Sequence, residues 1–126
     1  MLLWFLGKTS TPNNSPTLYR TDEESYVIQG WRVYDEGILA RLSIPDGDTV
    51  IEIPPPLLDY LQLDGLTTDE RNLIPPIVHV KDNGNYIVQG PEVHDPAVLS
   101  QFRQPVPDHE TCIHLSKATV AQLVGG

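Results

Sequence analysis

The chain has 126 residues, with 8 Lys and Arg against 17 Asp and Glu, a net charge of −9 and a pI near 4.6. A length near one modal domain buries roughly two-thirds of the surface its unfolded chain exposes, so a stable core needs no staples. Eight unclustered cations are too few for a protein that grips phosphates, which disfavours nucleic acid and favours a basic protein as partner. A hydrophobic content of 40% lies outside the disordered range, while 12 Pro and 9 Gly predict short elements and many turns.

The chain opens on Met1-Leu2-Leu3-Trp4-Phe5-Leu6, an apolar run of six residues that is too short to cross a bilayer and reads as a buried strand. No membrane association is expected. Residues 8–16, rich in Ser, Thr, Asn and Pro, read as a loop. Leu18-Tyr19-Arg20, turn residues at 22–25 and Tyr26-Val27-Ile28 then make a β-hairpin, with Gly30 where a bulge or a close backbone approach would bend the returning strand. Asp35 is placed to cap a short helix carrying Ile38, Leu39 and Leu42 on one face. A Pro45-Asp46-Gly47-Asp48 break leads into the strand Val50-Ile51-Glu52-Ile53, and a closing helix runs through Leu57, Leu58 and Leu61.

The same order returns further along, because residues 22–48 match residues 82–108 at a constant offset of 60, with Asp, Tyr, Gln, Gly, Val and Asp coinciding. Tyr86-Ile87-Val88, Gln89-Gly90, the cap Asp95 with Pro96, the face Val98, Leu99 and Phe102, and the strand Cys112-Ile113-His114-Leu115 are the counterparts. The elements therefore predict an α+β fold of two tandem ββαβα repeats packed with pseudo-two-fold symmetry, plus an N-terminal strand. The expected single domain, 1–126, divides into an N-terminal strand and loop (1–16), repeat 1 (17–61), a connector (62–76) with one helical turn at Thr68-Asp69-Glu70-Arg71, and repeat 2 (77–124). Two matched halves are the geometry of a fused dimer, and a homo-oligomer is compatible with it.

Chemical motifs are sparse. No nucleophile elbow, phosphate-binding loop, zinc-protease or dinucleotide pattern occurs, so no catalytic residue and no cofactor is assigned and the expectation is a non-enzyme. Cys112 is the single cysteine and can close no intrachain disulfide, which suits a reducing, cytoplasmic setting. His109, Cys112 and His114 are weak metal candidates, because their spacing is unspecific. Trp31, Arg32 and Tyr34 are of the residue types that anchor protein interfaces, and the neighbouring acids Glu23, Glu24, Asp35 and Glu36 would meet a basic partner; these seven are the candidate partner-binding residues.

Two resemblances bear on function. The run from Ile38-Leu39-Ala40-Arg41-Leu42-Ser43-Ile44 through Pro45-Asp46-Gly47-Asp48 to Thr49-Val50-Ile51-Glu52-Ile53 resembles the helix, Gly-Asp turn and strand of AbrB/MazE-like antitoxin and transition-state regulator domains. That resemblance implies an intertwined sheet holding DNA through basic residues, for which Arg41 and Arg32 stand here. More of the chain, including Leu2-Leu3-Trp4-Phe5-Leu6-Gly7, Tyr26-Val27-Ile28-Gln29-Gly30-Trp31 and Ile51-Glu52-Ile53-Pro54, looks like a group of uncharacterised small acidic bacterial proteins that tend to be encoded beside helix-turn-helix regulators. It implies a regulatory neighbourhood. Together these readings lead to a non-enzymatic acidic interaction module, an accessory or antagonist of a basic DNA-binding regulator such as a helix-turn-helix protein. The alternatives are an AbrB/MazE-like DNA-binding regulator, or a small metal or thiol protein built on the second repeat.

Overall fold

Alternating apolar positions between turn residues give strands first and helices second. A computed structural model describes residues 1–9, 16–102 and 104–125. Its strands are β1 (Leu3–Lys8), β2 (Thr17–Thr21), β3 (Ser25–Arg32), β4 (Asp48–Ile53), β5 (Ile77–Val80), β6 (Tyr86–Pro91) and β7 (Glu110–Ser116). Between them lie helices α1 (Glu36–Leu39) and α2 (Pro96–Leu99), a 3-10 segment at Pro55–Asp64, and the closing helix α3 (Lys117–Leu123). The loop predicted over 8–16 falls mostly outside the described residues.

The predicted α+β arrangement of two ββαβα repeats with pseudo-two-fold packing is overturned. All seven strands join one antiparallel sheet, in the order β1-β2-β3-β4-β6-β5 with β7 on β3, and only 21% of the described residues are helical. The long pairings cross between 17–61 and 77–124: β3 runs along β7 from Ser25↔Ser116 to Trp31↔Glu110, and β4 runs along β6 from Asp48↔Pro91 to Ile53↔Tyr86. The physical reason is hydrogen-bond supply. α1 and α2 are single turns, too short to cover a sheet face, so the strand edges left open by each hairpin are satisfied across the molecule. A short β3–β4 contact at Trp31↔Glu52 and Arg32↔Ile51, and a bridge between Glu92 and Ile113, join β3, β4, β6 and β7 in a circuit.

Local signals fared differently. Asp35 Oδ1 accepts from the N–H groups of Gly37 and Ile38, and Asp95 Oδ1 accepts from Ala97 N at 2.9 Å, so both residues cap helices as their positions suggest. The helix expected through Leu57, Leu58 and Leu61 is instead a 3-10 run entered through three prolines, with those leucines buried and Gly65 closing it at φ 86°. Residues 68–71 form no helical turn; Arg71 holds that stretch by donating to the carbonyl oxygens of Thr68 and Glu70 and to Asp59. β1 is an edge strand and not a buried one: it pairs with β2 alone, and Trp4 and Phe5 stay 40% and 52% exposed. Arg20 lies over the Trp4 ring at 4.2 Å, which partly covers that edge.

Two apolar clusters lie on the two sides of the β3–β7 pair. The larger contains Tyr26, Ile28, Ile51, Ile53, Val88, Ile113 and Leu115, closed by the leucines of the 3-10 segment and by Val120 and Leu123 of α3. Tyr26 is fully buried and its hydroxyl donates to Asp64 Oδ2 at 2.6 Å, where Lys117 Nζ also pairs at 3.2 Å. One polar knot therefore ties β3, the 3-10 segment and α3 together. The smaller cluster packs Val98 and Phe102 onto Val27 and Cys112, with Tyr19 stacked on Phe102 at 4.6 Å.

Candidate functional site

The end of β3 carries the anchors predicted from sequence, and successive strand residues point to opposite faces. Trp31 and Arg32 accordingly line different clefts. Trp31, half-buried, lines a cleft of about 640 Å³ with Tyr60, Pro54, Pro56, Asp59 and Asn85. Tyr60 is held there because Gly7 has no side chain: a Cβ at that position would sit 2.3 Å from the Tyr60 ring. The Tyr60 hydroxyl donates to the Lys8 carbonyl at 3.1 Å. Opposite Trp31 in the register, Glu52 accepts from Lys81 Nζ at 2.9 Å and from Asn85 Nδ2 at 2.8 Å.

Arg32 lines a second cleft of about 340 Å³ with Glu92, His94, Asp108, Glu110 and Cys112. Its Nε donates to the Asp108 carbonyl at 2.9 Å, and its Nη1 lies 3.5 Å from Glu92 Oε2. Glu92 also accepts from Thr111 Oγ1 and lies 3.5 Å from His94 Nε2. Glu110 is the unusual member. It is 1% exposed, its Oε1 accepts from Gln29 Nε2 at 3.1 Å, and its buried Oε2 accepts no hydrogen bond; His109 Nε2 is 3.5 Å from that oxygen. A related pairing, Gln89 Nε2 to Asp48 Oδ2 at 3.3 Å, involves a carboxylate that is only half-buried.

Burial pushes the Glu110 carboxyl pKa up, against the opposing pull of the Gln29 amide and of His109. Burial also pushes the Cys112 thiol up to about 12, helped by Glu110 and Glu92. Cys112 is therefore a protonated thiol packed among apolar side chains at neutral pH, a poor nucleophile and a poor metal ligand. His114 Nε2 is hydrogen-bonded to Ser25 Oγ at 2.7 Å, and His109 is half-exposed before the strand. Among the described residues no group of three His, Cys, Asp or Glu side chains is arranged to hold a metal.

The seven predicted partner-binding residues are dispersed. Trp31, Arg32 and the exposed Tyr34 follow one another at one end of β3, with Asp35 and Glu36 continuing into α1. The Asp35 carboxylate is engaged in its cap. Glu23 and Glu24 lie in the β2–β3 turn at the other end of β3, roughly 25 Å away at about 3.3 Å per strand residue. Sequence reasoning missed Glu110, Glu92 and Tyr60. Strand alternation with Cys112 does place Glu110 on the same face as an apolar neighbour, the one signal available. No protein-family model, no curated protein and no solved structure matches the chain.

The buried carboxyl has a cost that can be measured. A folded-state pKa raised above the ordinary 4.5 means that the native state holds its proton more tightly than the unfolded state. Stability therefore falls as pH rises above 4.5. Glu110→Gln keeps the Gln29 contact and removes the charge, so it should flatten that slope and raise the melting temperature near neutral pH. Thermal melts of both proteins between pH 4.5 and 8 read this; parallel curves would mean that folding does not raise the Glu110 pKa.

Proposed function

We propose that the chain is a non-enzymatic acidic interaction module that binds a basic protein, an accessory or antagonist of a DNA-binding regulator. The observation that carries this reading is the outward imbalance of charge. Glu110 alone of the 17 acids is buried, whereas Arg32, Arg71, Lys81 and Lys117 are drawn into ion pairs within the chain. A surface of this sign attracts a cationic partner and speeds encounter, and it repels the DNA that such a partner would otherwise hold. Trp31 beside Tyr60 supplies an amphipathic aromatic surface of the kind that concentrates binding energy. The buried thiol Cys112 suits a reducing, cytoplasmic setting. No helix among the described residues is long and apolar enough to cross a membrane.

The test is native co-purification at moderate salt from a source lysate, with the wild-type chain and the Trp31→Ala variant as parallel baits. The expected result is a stoichiometric basic, DNA-binding protein on the wild type and at least a tenfold loss on the variant, on the scale of about 1.4 kcal/mol or more for an anchor residue. Equal recovery on both baits, with both folded, would remove Trp31 from the interface; recovery of nucleic acid in place of a basic protein would overturn the reading itself.

A further inference from the structure

The cleft beside Arg32 contains a feature that the fold does not use. A buried carboxylate oxygen has left water, and without a hydrogen bond it forfeits free energy that a partner or a ligand would restore. Glu110 Oε2 is such an oxygen. Glu110 lines a cleft whose other ionisable groups include Glu92 and Asp108, and whose cation, Arg32, is already bonded to the Asp108 carbonyl and paired with Glu92.

We infer that this cleft binds a primary ammonium group, with Glu110 Oε2 as its acceptor. Four arguments narrow the ligand class. An anion would meet Glu92, Asp108 and Glu110 together. A metal ion needs several ligands converging, and no such group occurs among the described residues. A guanidinium is matched by a carboxylate with both oxygens open, whereas Glu110 Oε1 is taken by Gln29 at 3.1 Å. An ammonium is a compact point charge that one oxygen and its carboxylate neighbours can satisfy. The inference rests on the proposed basic partner for its fullest form, in which the ammonium is that of a lysyl side chain. His109, with its side chain 47% exposed and its Nε2 3.5 Å from Oε2, lies against that oxygen and competes with the ammonium for it.

The experiment is a titration of the full chain, followed by backbone amide NMR, with three separate probes: n-butylamine, Nα-acetyl-lysine N-methylamide and Nα-acetyl-arginine N-methylamide. The expected result is saturable shifts centred on Gln29, Glu110 and Cys112 for the two amines, with the arginine probe at least fivefold weaker. Glu110→Gln is expected to weaken amine binding at least tenfold. His109→Ala, a change at an exposed position that leaves folding intact, is expected to tighten it about threefold. Tighter binding of the lysine probe than of n-butylamine assigns the site to a protein side chain, and the reverse order assigns it to a small amine; both support the site. Shifts that never saturate, that spread over the acidic surface, or that persist unchanged in both variants overturn it. Failure of the amines while a basic protein still co-purifies would remove this site and leave the partner reading intact. Amine binding without any basic partner would do the opposite.

Discussion

Ile113→Ala is expected to lower the unfolding free energy by about 2–5 kcal/mol, a large share of the about 5–15 kcal/mol that holds a domain of this kind folded. Ile113 is fully buried at the middle of β7, directly opposite Ile28 of β3, and belongs to the larger apolar cluster. Across from it Gly90 leaves room for the neighbouring Leu115, since a Cβ there would come within 2.9 Å of the leucine and 3.4 Å of Ile113. Truncation removes apolar contacts and leaves a cavity that the surrounding strands, paired on both sides, can close only in part. Urea unfolding measures the loss, with Leu63→Ala as the control, because Leu63 is 69% exposed and should change stability by less than about 0.5 kcal/mol. A loss below about 1 kcal/mol at Ile113 would mean that β7 does not pass through the core.

Gly30→Val is expected to cost about 3 kcal/mol or more. A Cβ at residue 30 would lie 2.8 Å from the Glu52 carbonyl oxygen and 3.0 Å from side-chain atoms of Ile51 and Ile53. The nearest of these is main chain and cannot rotate aside, so the substitution must push β4 away from β3, and the two valine methyls add to an overpacking cost that is already about 1–3 kcal/mol. The pairing lost first is the short one, Trp31↔Glu52 and Arg32↔Ile51. Both clefts stand on that pairing, so the variant should lose stability and amide protection at Trp31 together, whereas the Arg32 amide, which donates to the His109 carbonyl at 2.8 Å, should stay protected. Protection retained at Trp31 in a destabilised variant would separate the clefts from the β3–β4 contact.

The close approach at Gly30 was legible because a glycine after an alternating strand has few other uses. The hairpins and the caps at Asp35 and Asp95 were legible for a similar reason: turn residues and N-caps act on neighbours within a few positions. Strand partners are not local. Nothing in Tyr26-Val27-Ile28 says that its second edge will be taken by Cys112-Ile113-His114-Leu115, and the matching halves invited a division into two units that the pairing of β3 with β7 and β4 with β6 does not respect. Helical content was overread for the same reason, since an apolar spacing of three and four residues fits a single turn or a 3-10 segment as well as a helix.

The site was legible in type and not in place. Trp31 and Arg32 stood out as interface residues, but only the folded chain sends one towards Tyr60 and the other towards Glu92. Glu110 looked like one acid among seventeen. Its burial goes with the pairing of β7 on β3, which brings Gln29 to its carboxylate, and no spacing rule encodes that pairing. A charged residue retained there at a cost in stability is the pattern expected of a functional position.

Competition with DNA tests the central claim most directly. Labelled duplex DNA is bound to the basic regulator recovered by co-purification, and the acidic chain is added at increasing concentration while fluorescence anisotropy is followed at two salt concentrations. An acidic module that occupies the regulator's cationic face predicts stoichiometric release of the DNA, at lower chain concentrations in lower salt. DNA that stays bound at saturating chain, or anisotropy that rises because the chain itself joins the DNA, would contradict the account.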